Sequence, residues 1–225
     1  MLLDVTTAST DAQLTTTAAV KAMLRTTSTS DDTLLDNLIT RASAWAEAYV
    51  GYPLPAQSYL ESVATYGTRR LMLARTPVRA VTGLFNGTDS GDYTQVDTSE
   101  FAVDREAGFI ERNIGWAWSV PFESYLDLRP NSGEEMPIWR AEYIAGYVFA
   151  GMSTSSSLWS TVKGTTSTGR TLPADIEAAV ISKVATWYQG DEDVRSKSIG
   201  DLSVTYDENA KDPAMTLLAP YRRSA

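Results

Sequence analysis

The sequence predicts an α+β protein: a helical scaffold, built from an N-terminal helix pair and a long C-terminal helix, with an antiparallel β insert and a flexible loop and tail. Three observations predict it. Apolar residues recur every three or four positions near both ends of the chain, the spacing of a helix face. They alternate with period two through the middle, the spacing of a half-buried strand. Between the middle and the last long helix, Ser or Thr fills 12 of the 19 positions from 153 to 171, too polar a stretch to build a core element.

Taken in order, Ala18 to Arg25 reads as a short helix with Ala19, Val20, Met23 and Leu24 on one side. Thr16 or Thr17 stands where a hydroxyl accepts from a free helical N–H. Asp31 and Asp32 open a stronger helix, their charges suited to the positive end of its dipole. Leu35, Leu38, Ala42, Trp45 and Tyr49 form its apolar stripe. Gly51 stops it, and Pro53 and Pro55 prevent its return. Short strands follow over 59–63, 71–73, 81–85, 101–103, 109–111 and 138–145, separated by Gly, Asn and Asp turn signals. Pro173 sits at the first turn of a helix whose apolar face is Ile176, Val180, Val184 and Trp187, with Tyr188 beside it. Gly190 ends that helix, and 191–200 reads as a charged connector. Leu202 to Tyr206 alternates like a strand, and Asp212-Pro213-Ala214 opens a last short helix through Leu218. The organisation is thus 1–56, N-terminal helices; 57–152, β-rich insert; 153–171, loop; and 172–225, C-terminal helix, strand and terminal helix.

Composition narrows the chemistry. The 225 residues hold no histidine and no cysteine, which excludes a Ser-His-Asp triad, a thiolate nucleophile, disulfides and Cys-ligated metals. Lys and Arg number 19 against 28 Asp and Glu, a net charge of -9 that argues against tight phosphate binding. The chain contains no phosphate-binding glycine motif. No apolar stretch approaches the roughly 20 residues of a membrane span, and Met1-Leu2-Leu3-Asp4 lacks the basic start of a secretory signal. The expectation is a soluble, intracellularly made protein with no cofactor and no membrane.

Two carboxylate groups, Glu134-Glu135 and Asp191-Glu192-Asp193, invite acid–base work, but loops collect solvated charge, and Asp191 and Asp193 lack the spacing and glycine of a calcium loop. No catalytic or metal site is expected. Trp116, Trp118, Phe122, Tyr125, Trp139 and Tyr143 are dense enough for a sugar platform, yet suit a small β core or a subunit interface better. Leu38, Ala42, Trp45, Tyr49, Ile176, Val180, Val184 and Trp187 are the expected scaffold core. Trp159 stands in a polar loop with nothing local to bury it and reads as an anchor for a partner.

Read in order, these segments resemble the head–tail connector, or head-completion adaptor, of long-tailed phages and related gene-transfer particles. Four matches carry the resemblance: Val20-Lys21-Ala22-Met23-Leu24-Arg25; the acid-started helix ending Tyr49-Val50-Gly51-Tyr52-Pro53-Leu54; Arg75-Thr76-Pro77-Val78 with Tyr143-Ile144-Ala145-Gly146-Tyr147; and Leu172-Pro173-Ala174-Asp175-Ile176 running on to Trp187-Tyr188. The ending Leu217-Leu218-Ala219-Pro220-Tyr221-Arg222-Arg223 is similar too, while 153–171 departs from the pattern. The resemblance implies a non-enzymatic virion neck protein, made and assembled in the bacterial host cytoplasm. It implies a homo-oligomeric ring, a dodecamer, under the portal protein, extending the DNA channel without sequence-specific binding. A stopper or tail-completion protein docks on such a ring. Trp159, Leu217, Leu218, Tyr221, Arg222 and Arg223 are the candidate docking residues. On that reading, residues from Ala210 onward are dispensable for folding and needed for docking. The alternatives are another neck or tail-completion part, or a carbohydrate-binding or carbohydrate-cleaving module.

Overall fold

The computed structural model describes residues 2–63, 69–88, 93–112, 137–149, 152, 171–190, 196–199, 202–205 and 212–222. Trp159 and the Ser/Thr-rich stretch through residue 170 lie outside the described residues. So do Trp116, Trp118, Phe122, Tyr125, Glu134, Glu135, Asp191, Glu192, Asp193 and Arg223. The described residues are α+β, with four α-helices and antiparallel sheets. They belong to two units: a β unit of residues 1–9, 56–146 and 154–167, and a helical unit of 10–55, 147–153 and 168–225.

The β unit is built on a five-stranded sheet. Its order is β1 (Leu2–Thr7), β2 (Gln57–Val63), β8 (Pro137–Ala145), β4 (Val78–Thr88), β5 (Tyr93–Gln95). A second sheet is ordered β3 (Arg70–Met72), β7 (Phe109–Glu111), β6 (Ala102–Asp104). Alternation explains the pairing of β2 with β8: Tyr59↔Tyr143 and Glu61↔Ala141 stand on one face, and that face is buried. The two sheets share a core of Tyr59, Leu71, Val78, Leu84, Ile110, Trp139, Ala141 and Tyr143. Two strands were not expected. β1 is an exposed edge strand, and β5 is a three-residue edge. β4 runs well beyond 81–85 because it pairs with β8 from Val78↔Ala145 to Thr88↔Pro137 through two irregularities in register. At one of these irregularities Gly83 lies under Phe85, and an added Cβ would come within 2.6 Å of its ring.

One charge lies inside this core. Glu61 is completely buried; its Oε2 accepts from the Tyr143 hydroxyl at 2.6 Å and from the Ala74 N–H at 2.9 Å. The Arg75 backbone N–H donates to the same Tyr143 hydroxyl. Burial, then the Glu61 carboxylate, push the Tyr143 phenol far above its ordinary value, so it remains a donor. Two strands and the β3–β4 connection are therefore pinned at one carboxylate.

The helical unit holds α1 (Thr17–Leu24), α2 (Asp32–Val50), α3 (Ala174–Gln189) and α4 (Pro213–Leu218). Thr16 caps α1, its hydroxyl accepting from the Ala19 N–H at 3.3 Å. Gly51 (φ 88°) and Gly190 (φ 70°) close α2 and α3 in the left-handed conformation. The core is Leu14, Val20, Leu35, Leu38, Ile39, Ala42 and Val50 with Ile176, Val180, Val184, Ala214 and Leu218. Each large aliphatic side chain so buried contributes about 1.5–3 kcal/mol. Residues 191–200, read as a connector, include a strand: β9 (Ser196–Ile199) pairs with β10 (Leu202–Thr205) in a hairpin. No helix among the described residues is long and apolar enough to cross a membrane.

The Glu61 pin sets an ordered expectation. Glu61→Ala leaves the Tyr143 hydroxyl and the Ala74 N–H unanswered and costs the β unit about 2–5 kcal/mol. Tyr143→Phe, which removes one partner, costs about 1–3 kcal/mol. Urea unfolding of the two variants checks the order; losses below about 1 kcal/mol in both contradict the pin.

Candidate interaction surface on the helical unit

Arg41, Trp45 and Tyr49 follow one another at four-residue spacing on α2, and Tyr52 continues the stripe past its end. On α3, Lys183 and Trp187 stand one turn apart and meet this stripe. Together they form a seam of alternating rings and cations. Arg41 lies over the Trp187 ring, 5.4 Å from its centroid. The Lys183 amine sits 5.1 Å from the Trp45 centroid and 5.4 Å from that of Trp187. Trp45 stacks on Tyr49 with centroids 6.2 Å apart, and Arg222 lies 5.8 Å over Tyr49.

Lys183 is the centre of this arrangement. It is 6% exposed, and its Nζ donates to Asp212 Oδ2 at 3.0 Å. The other oxygen of Asp212 accepts from the Ala214 N–H at 2.9 Å and so caps α4. One carboxylate therefore starts the terminal helix and answers a buried ammonium. An ammonium taken out of water without a partner costs several kcal/mol, so Asp212 fixes where α4 lies. The two indole faces add about 0.5–2 kcal/mol each.

Polar contacts extend the seam at both ends. The Tyr188 hydroxyl donates to Asp31 at 2.7 Å, and this bond, then the Asp31 charge, raises the phenol above its ordinary value. Tyr221 is raised by burial first, then by the charge of Asp175 and a hydrogen bond to it. Burial also raises Tyr52, partly offset by a hydrogen bond from Tyr147. These phenols stay protonated at neutral pH, and Tyr188 and Tyr221 keep donating to Asp31 and Asp175. Deeper in the unit, Thr15 donates to Glu177 at 2.9 Å and the Leu14 N–H donates to the buried Ser43 hydroxyl at 3.0 Å.

The residues expected in the scaffold core divide in two. Leu38, Ala42, Ile176, Val180 and Val184 are buried, whereas Trp45, Tyr49 and Trp187 are half-buried and build the seam. The docking candidates divide as well. Leu218 is fully buried within its own unit, Leu217 and Tyr221 are half-buried, and Arg222 is exposed. A dispensable tail does not fit this placement, since Ala214 and Leu218 are core residues and Asp212 partners Lys183. In the β unit, Trp139 is buried under Arg112, the place of a core ring rather than of a sugar platform. The pairing of Lys183 with Asp212 escaped sequence reasoning, although a lysine one turn before Trp187 on the apolar side was a signal for it.

The seam presents half-buried rings and cations on a packed helix pair, a composition common at protein interfaces. Comparison with known families gives the class a name. Residues 13–121 match the head completion protein family, and residues 143–222 match the phage gp6-like head-tail connector protein family. Arg41 to Tyr52 lie in the first match, and Asp175 to Arg222 in the second. In chain order, then, the sequence is similar first to head completion proteins and then to phage head-tail connector proteins, and the two matches together span most of its length. No curated protein matches it. Solved structures share its fold. A chain from the neck of a native gene-transfer-agent (GTA) particle, computed with C12 symmetry, is 18% identical with a TM-score of 0.54. One from the neck of an empty GTA particle, computed with C6 symmetry, gives the same values. One from the native GTA virion is 17% identical with a TM-score of 0.52. Each alignment covers 100% of this chain and 97% of the other.

The centre of the seam gives an asymmetric prediction. Asp212→Ala strips the α4 cap and orphans the Lys183 amine, at a cost of about 3–5 kcal/mol. Lys183→Met leaves Asp212 partly hydrated and still capping, at a cost below about 1.5 kcal/mol. Unfolding followed by tryptophan fluorescence distinguishes them; the reverse order contradicts Asp212 as the answer to a buried ammonium.

Proposed function

We propose that this chain is the adaptor of a tailed phage or phage-like particle, assembled as a closed ring beneath the portal protein. The ring extends the DNA channel and offers its far side to a stopper or tail-completion protein. The observation that supports this reading most is the pair of connector-family matches, in chain order, on a chain whose whole length shares the fold of GTA neck proteins. On this reading the work is assembly, with no reaction catalysed. The helical unit is the ring-forming scaffold and the β unit its outgrowth, and the site of action is the virion neck, after synthesis in the bacterial host cytoplasm. The proposed ring is a dodecamer.

A ring of identical copies needs two different, complementary surfaces on each copy, related by rotation. The seam supplies one such surface on a rigid pair of helices. Trp159, Leu217, Tyr221, Arg222 and Arg223 are the proposed contacts to portal or neighbour, and Leu218 holds the segment that carries the last four of these in place. The net charge of -9 suits a channel through which DNA slides, because acids repel phosphate where Lys and Arg would hold it.

DNA-filled heads that lack tails test the proposal. Purified chain mixed with such heads should co-sediment with them in a fixed multiple per portal and render them competent to accept tails. Binding that is absent, or equal on heads without a portal, contradicts the adaptor role.

A further inference from the structure

We propose that the face of the helical unit bearing Arg41, Trp45, Tyr49 and Arg222 binds the β unit of a second copy of this chain, through the exposed acidic stretch from Asp97 to Glu106. This rests on the ring reading above and deepens it by naming both sides of the joint.

This face carries unanswered charge. In a chain with more acids than bases, four of the described cations have a carboxylate at home: Lys21 meets Asp32, Arg70 meets Glu111, Arg112 meets Glu100 and Lys183 meets Asp212. Arg41 and Arg222 are exposed, and among the described residues neither meets a carboxylate. Each instead lies on an aromatic ring. A guanidinium so placed gives its face to the ring and keeps its N–H edges for a planar acceptor, and a carboxylate fits that fork. The rings also limit the rotamers of both side chains, which lowers the entropy lost when a partner arrives.

The surface between the two cations suits a protein. Arg41 and Tyr49 are eight residues apart on one helix, roughly 12 Å along its axis. Trp45 and Tyr49 stand half-exposed in that interval and stack on each other. Stacked aromatic rings flanked by arginines are the composition of interface hot spots.

The acceptors are on the other unit. Asp97, Asp104 and Glu106 are exposed, and among the described residues none of the three meets a Lys or Arg. The stretch carries one exposed arginine, Arg105, against them. Asp97 is held below the usual carboxylate range by the Ser99 N–H and hydroxyl, so it stays charged in mild acid. The two arginines on this face of the helical unit and the three acids on this stretch of the β unit are complementary, and each copy offers both. Such a joint is head-to-tail and closes by rotation. It also assigns Arg222 to the neighbouring copy rather than to the portal.

Sedimentation velocity of the full-length chain over a concentration series tests the joint. Three samples join the unmodified chain: Arg41→Glu with Arg222→Glu, Asp97→Lys with Glu106→Lys, and an equimolar mixture of the two double variants. All changes are at exposed positions, and circular dichroism checks that each variant folds. The proposal expects the chain to self-associate, more strongly at low salt. Each double variant should weaken association at least tenfold, and the mixture should recover it, because every mixed joint again brings opposite charges together. Undiminished association of the variants overturns the surface, and so does a mixture that fails to recover. A chain that stays monomeric up to about 1 mM overturns the second copy as occupant. Any of these failures, alongside portal-dependent binding to heads, leaves the adaptor reading standing.

Discussion

A buried ammonium organises the helical unit. Lys183 enters the seam from α3, lies between indole rings from α2 and from its own helix, and ends on the carboxylate that starts α4. Neither ring alone neutralises a desolvated charge, and Asp212 does so only while the terminal helix is in place. The position of the last ordered segment is thus set by electrostatics at one point and by Ala214 and Leu218 at another. Arg222 reaches Tyr49 because that segment is anchored.

The β unit follows a parallel logic. Glu61 is the charge that its core surrounds, and its partners come from β8 and from the connection after β3. Buried charged groups of this kind define geometry more sharply than apolar packing does, because a misplaced partner is costly while a shifted methyl group is not. For the proposed role, repeating one joint around a ring, fixed geometry within each unit matters more than reserve stability. The fold and the proposed role connect through this constraint.

Much of the fold was legible. The stripe Leu35, Leu38, Ala42, Trp45, Tyr49 gives α2, and Ile176, Val180, Val184 gives α3, because a helix packed on one side must repeat every three or four residues. The alternation through β8 was equally clear, since one face is buried. The strands that were missed lack such a signature. β1 is an exposed edge held by backbone pairing to a distant strand, β5 has three residues, and β9 lies in a polar stretch paired only with its hairpin partner. The seam was half legible. Its aromatics were read as core because spacing shows a helix face but not its depth. Lys183 was overlooked because its burial depends on Trp45 and Asp212, far apart in the chain. Glu61 carried a local clue, being a charge at an inward position between Tyr59 and Val63 in an alternating strand.

In the proposed adaptor role the absence of His and Cys costs nothing, and the acidity suits a DNA neighbour that passes without adhering. These readings meet in a single image. Cryo-electron microscopy of the neck of an assembled particle, focused on the layer against the portal, tests the account most directly. The account predicts a closed ring of this chain there, with acids facing the channel and the Arg41–Tyr49 stripe of every copy turned to the next. Density for the chain away from the portal, or copies at the portal that do not touch one another, would contradict it.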